Sequence, residues 1–121
     1  MALPIWTATK PKRLVCTTDP STGTPSEVPT WREWQASDGG ATVFTARWLS
    51  HAQLADCYSH AGRHEQQLRA SELGVVSVDW PGGPAVVEEA LAALPYLERL
   101  TLGAWIMTAS LLPPDPTARP G

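Results

Sequence analysis

Apolar residues recur at helical spacing along the last third of the chain. Val87, Ala90, Leu91 and Leu94 form one series, and Leu97, Leu100, Ala104, Met107 and Leu111 form another, stepping three-four-three-four after Pro95. Together they predict two abutting helices with one core-facing stripe. Pro84 suits the first position of the earlier helix, because its missing N–H would have had no partner there. Further upstream, Leu54, Cys57, Tyr58, Ala61 and Leu68 make a third stripe, broken in character only by Glu65. Ser50 and Gln53 are spaced as a capping box at the start of that helix, and Gly74 suits a left-handed stop after Leu73. Gly62 falls inside it at a cost of about 1 kcal/mol against alanine, which points to a bend or to close packing.

Period-two alternation is shorter and scarcer. Thr42 to Trp48 places Phe44, Ala46 and Trp48 on one side, and Val76, Val78 and Trp80 make a second strand face, stopped by Pro81-Gly82-Gly83. Arg13 to Thr17 is a short strand candidate, and Thr30 to Gln35 fits either one capped helical turn or an edge strand. Residues 1–30 otherwise read as an extended arm, since Pro4, Pro11, Pro20, Pro25 and Pro29 interrupt any helix. The expected fold is therefore α+β: a small helical core of three helices with a few short strands, an extended Pro-rich N-terminal arm and a C-terminal tail. Its parts are residues 1–40 as arm and turn segments, 41–112 as the core, and 113–121 as the Pro-rich tail.

Composition narrows the function more than the fold. At 121 residues and 43% hydrophobic content the chain suffices for one domain. A net charge of −3 argues against nucleic acid as main partner, because phosphate contacts need a basic surface. No run approaches the roughly 20 apolar residues that span a bilayer, and no basic segment precedes an apolar one as in a signal peptide. Two cysteines do not make a disulfide framework, so an intracellular thiol state is expected. The charge is also asymmetric. Lys10, Lys12 and Arg13 precede the first acid, whereas Glu72, Asp79, Glu88, Glu89 and Glu98 face only Arg99, which leaves head-to-tail attraction between copies or a plain solvated surface. Six tryptophans are many for so short a chain. Trp6, Trp31 and Trp34 lie in or beside Pro-rich segments, where such rings either anchor a partner or fold back on their own domain.

The sharpest chemical cluster is Cys57, His60 and His64, one helical turn apart. Thiolate and imidazole are zinc ligands, yet three donors along seven residues of one rigid helix rarely converge on one ion, and no Cys-x-x-Cys pair is present. As a nucleophile and base the same residues would need a cleft and an oxyanion site. The Gly-rich stretch Trp80 to Pro84 carries two prolines, which remove N–H groups an anion would use. Glu88-Glu89 sits where carboxylates favour a helix dipole. No catalytic residue, no metal ligand and no cofactor is assigned.

One pattern resembles a known group. Thr45-Ala46-Arg47-Trp48-Leu49-Ser50 leads into a helix, Gly74 to Trp80 precedes a Gly-Pro break, and Leu94-Pro95 opens a helix bearing Trp105-Ile106-Met107 and Ser110-Leu111. Over residues 43–112 this is similar to small structural and assembly proteins of tailed bacteriophages. Methionine after Ile106 and the Pro-rich tail depart from that pattern and leave the subfamily open. The resemblance implies a non-enzymatic protein located in the virion, or in host cytoplasm during assembly of a tail or capsid. Its partners would be other protein subunits, as a homo-oligomer or a hetero-assembly, with no nucleic acid and no membrane. The residues expected to bind those partners are Trp6, Lys10, Lys12, Arg13, Trp31 and Trp34. The alternative is a small intracellular zinc-binding interaction module using Cys57, His60 and His64.

Overall fold

Leu14 and Val15 are completely buried although they belong to the Pro-rich N-terminal third. In the computed structural model, which describes residues 11–22 and 27–111, they lie on an inner strand of an antiparallel sheet. The strands are β1 (Lys12–Cys16), β2 (Trp31–Glu33), β3 (Val43–Ala46), β4 (Val75–Trp80) and β5 (Gly83–Ala85), and the helices are α1 (His51–Tyr58), α2 (Arg63–Gly74), α3 (Val87–Ala93) and α4 (Tyr96–Leu111). Spatial strand order is β2-β1-β3-β4-β5. Leu14 stands opposite both Glu33 and Phe44, and Phe44 stands opposite Val78.

Alternation along β1 divides the apolar residues between two faces. Leu14 and Cys16 join Trp31, Phe44, Ala46 and Val78 under the helices, packed with Leu102 and Ile106 of α4. Val15 goes to the opposite face, where Val43, Ala41 and Trp34 form a smaller cluster. Arg32, paired with Val15 across the strands, shares that second face. Its guanidinium grips the fully buried Asp38 in a fork, Nη1 to Oδ2 at 2.8 Å and Nη2 to Oδ1 at 2.6 Å. The Gln35 N–H adds a third bond to Oδ2 at 2.7 Å. Hydrogen bonding from Arg32 holds the Asp38 carboxyl below its ordinary value of 3.8, against the opposing effect of burial, and the Gln35 N–H adds to it. A depressed folded value means that the unfolded chain binds the extra proton first as pH falls. The stabilisation is thus complete above about pH 5 and drains away as pH drops through the folded value. Denaturant titrations of the wild type between pH 6 and pH 2 are expected to show falling stability below pH 4. Asp38→Asn should be weaker at pH 6 and show a shallower acid decline; an unchanged slope would remove the assignment. Asp56, held down by Arg69, supplies a residual slope in both proteins.

Above the other face, α2 and α4 cross at small residues. Ala70, Ser71 and Gly74 of α2 and Gly103 of α4 are all buried. A methyl on Gly103 would stand 2.6 Å from the Gln67 carbonyl carbon and closer still to its oxygen, so backbone meets backbone there. Gly74 is placed by the same crossing. A methyl on it would come within 2.8 Å of the Ile106 side chain.

The architecture is α+β, but among the described residues four helices and a five-stranded antiparallel sheet replace the expected three helices and few short strands. The reasons are local. Residues 59–62 break the long helix in two, with Gly62 in extended geometry as the N-cap of α2 rather than mid-helix. Segments of the expected arm supply β1 and β2, because β1 buries Leu14 and Cys16 on one face and Val15 on the other. The segment from Thr30 takes the edge-strand alternative. Pro84 lies in β5 rather than opening α3, an edge position where a proline costs no ladder bond. Among the described residues only Gly39 and Gly83 have positive φ, so Gly74 is required by space and not by a left-handed stop. The stripe on α4 is wider than expected: Leu100 and Met107 are buried as expected, Leu97 and Leu111 are exposed, and Leu102, Gly103 and Ile106 join the buried face. Ser50 and Gln53 do form the capping box, at 3.2 and 2.9 Å. No helix among the described residues is long and apolar enough to cross a membrane.

Candidate functional site

The residues singled out from sequence are dispersed. Lys12 pairs with Glu33 at 3.0 Å, and the Arg13 guanidinium lies 4.4 Å from the centre of the Trp34 ring. Trp34 is half-buried against Val15, Ala41 and Val43. Trp31 is 7% exposed, edge-on to Phe44 at 5.3 Å, and its Nε1–H donates to the Glu98 carbonyl at 3.0 Å and to Thr101 Oγ1 at 3.1 Å. It is a core residue of its own domain and not a projecting anchor. Trp6, Lys10 and the tail 113–121 lie outside the described residues.

Cys57, His60 and His64 do not share a helix. The turn at residues 59–62 leaves Cys57 on α1, His60 in the turn and His64 on α2. Cys57 is fully buried, and burial pushes its thiol up. His60 Nε2 faces Asp56 Oδ1 at 3.7 Å, while His64 stands edge-on to Tyr96 at 6.0 Å. Among the described residues no three His, Cys, Asp or Glu side chains gather to hold a metal ion. Asp56 is instead occupied by Arg69 at 2.7 Å, which also reaches Glu72 at 3.1 Å, and Glu72 meets Arg99 at 3.3 Å.

The structure brings a different set together. The end of β1, the turn after it, and the α3–α4 junction enclose a cleft of about 300 Å³. Three aromatic side chains line it: Trp31 from β2, Phe44 from β3 and Trp80 from the end of β4, with Ala90 and Leu94 completing the apolar wall. Trp80 is 41% exposed, and Tyr96 and Leu97, which follow the lining residues Leu94 and Pro95, are more exposed still.

Polar groups enter from one side. Thr18 donates its hydroxyl to Glu98 Oε1 at 2.6 Å, and its oxygen lies 3.1 Å from Cys16 Sγ. Asp19 is fixed by two backbone groups, the Ser21 N–H at 3.0 Å to Oδ1 and the Thr42 N–H at 3.0 Å to Oδ2. Burial pushes the Cys16 thiol up, and the negative charges of Glu98 and Asp19 push in the same direction. The thiol therefore stays protonated at neutral pH and is a poor nucleophile.

Sequence reading assigned Trp80 to a strand face and gave Phe44, Asp19 and Glu98 no role in a site. One signal was present. A tryptophan on the last strand residue before a Pro-Gly turn sits at a sheet end, where a large ring has only partial cover. No protein-family model matches the chain, and no curated protein or solved structure matches it.

Proposed function

We propose that this chain is a non-enzymatic structural or assembly protein, of the kind used in phage-like particles, that joins neighbouring protein subunits at the aromatic cleft. The observation that supports this is the solvent-open cleft walled by Trp31, Phe44 and Trp80, with exposed Tyr96 and Leu97 following the α3–α4 junction that closes it. Large aromatic side chains in a partly open pocket are the usual centre of protein–protein binding energy. The partner-facing residues are therefore Trp80, Tyr96 and Leu97, in place of Trp31 and Trp34, which are engaged within their own fold. Its working place is the virion, or host cytoplasm while a particle is assembled.

Sedimentation tests this reading. In a gradient of lysate from cells that make the protein natively, it is expected to travel with particles or assembly intermediates far heavier than 13.0 kDa. Trp80→Ala, introduced at the native locus, is expected to return it to the slow fractions while leaving it folded. A wild-type protein found only in the slow fractions at every stage would overturn the proposal.

A further inference from the structure

The cleft is acidic: Asp19 and Glu98 line it. Elsewhere among the described residues four carboxylates meet a cation: Glu33 meets Lys12, Asp38 meets Arg32, Asp56 meets Arg69, and Glu72 meets both Arg69 and Arg99. Glu98 and Asp19 are held only by neutral donors, a threonine hydroxyl and two backbone N–H groups. Among the described residues no lysine, arginine or histidine lines the cleft. Their charge is thus oriented but not neutralised among the described residues, and both side chains line the cavity. A cleft with low-dielectric walls focuses such a field.

The cleft is also lined by aromatic residues, of which Trp80 is the exposed one. Ring faces attract a cation by their quadrupole when it comes within about 6 Å of the centroid. Carboxylates together with the exposed Trp80 ring select a positively charged head on an apolar stem. A volume of about 300 Å³ lies at the bottom of the range for small-molecule pockets, which suits one long side chain better than a cofactor.

We infer that the cleft receives a lysine or arginine side chain presented by a neighbouring protein chain, its head beside Glu98 and Asp19 and its stem against the exposed ring of Trp80. The inference rests on the subunit-joining reading and adds the chemistry of the partner. A projecting basic residue supplies the charge the cleft lacks, and its methylenes cover that ring.

The test uses the full chain labelled with ¹⁵N and follows the indole Nε1–H signals of Trp31 and Trp80. The probes are lysine and arginine blocked as N-acetyl amides, the isosteric N-acetyl norleucine amide, and a short peptide with one central lysine. Saturable shifts of both signals are expected with the lysine and arginine probes, and binding about tenfold weaker with norleucine. The lysine peptide should bind more tightly than the blocked amino acid, which distinguishes a side chain on a polypeptide from a free amine. Glu98→Gln retains an acceptor for Thr18, so it should stay folded by circular dichroism yet lose the preference for the cationic probes. Equal binding of norleucine and lysine, no shift with any probe, or an unchanged preference in Glu98→Gln would each overturn the inference. Sedimentation with particles is a separate readout. If it persists while the cationic probes fail, the joining role stands and only the identity of the inserted side chain falls.

Discussion

Replacing Gly103 with alanine is expected to lower stability by about 3 kcal/mol, the upper part of the range for an overpacked core. Two effects compete at this site. Alanine is the better helix former by about 1 kcal/mol, so at an exposed helical position the change would stabilise. Here the added carbon would meet the Gln67 backbone of α2, 2.6 Å from its carbonyl carbon and 3.0 Å from its Cα. Backbone atoms have no rotamer to escape into, so the helices must separate, and Ile106 and Leu102, almost wholly buried under the crossing, lose contact. Separation wins over propensity. For a chain of this length the expected fall in melting temperature is roughly 12 °C, and Gly103→Leu should not fold. Gly82→Ala is the matched control, because a methyl there meets nothing within 4 Å. It should change stability by less than about 0.5 kcal/mol. A Gly103→Ala protein as stable as the wild type would mean that α2 and α4 do not cross at this point.

That crossing shows why some of the fold was legible in the sequence and some was not. The Ser50–Gln53 cap, the strand through Phe44 and Ala46, and the helix beginning after Pro95 are set by short-range rules, and each is present. Gly62 and Gly74 were visible as anomalies in a long helical pattern, but their causes are not local. One is freed by a chain break and the other is pressed by Ile106 from a different helix. The added breadth of the α4 stripe has a similar origin. A helix packed on both a sheet and another helix buries a wide arc, including Gly103, Ala109 and Ser110, which carry no hydrophobic signal of their own. The strand in the N-terminal third was recognisable from Leu14 to Cys16, yet proline content gave the segment the look of an arm. What overrode composition was tertiary burial on both faces of β1. The cleft was hidden for the same reason, since its residues come from β1, β2, β3, β4 and the helical pair. No spacing along the chain joins Asp19, Trp31, Trp80 and Glu98. Only the sheet order brings them to one end.

Trp31 decides whether the N-terminal third belongs to the domain or to a partner. As a core residue it packs on Phe44 and closes two hydrogen bonds to α4, so Trp31→Ala should destabilise the isolated protein by about 3–5 kcal/mol, the usual cost of emptying a buried aromatic site. Trp31→Phe keeps most of the ring contact but removes the indole N–H from the Glu98 carbonyl and Thr101 hydroxyl. About 1–2 kcal/mol is expected for that loss, smaller because the Glu98 carbonyl still accepts from the Thr101 hydroxyl. Trp80 should behave in the opposite way. With 41% of its surface exposed, Trp80→Ala is expected to cost less than about 1 kcal/mol of stability while abolishing association in the sedimentation experiment. Chemical denaturation of the three variants beside the wild type provides the comparison. If Trp31→Ala were as stable as the wild type, β2 would not be docked on α4, and the indole would be free to anchor another subunit. If Trp80→Ala unfolded the chain instead, the cleft would be a wall of the core and not a doorway.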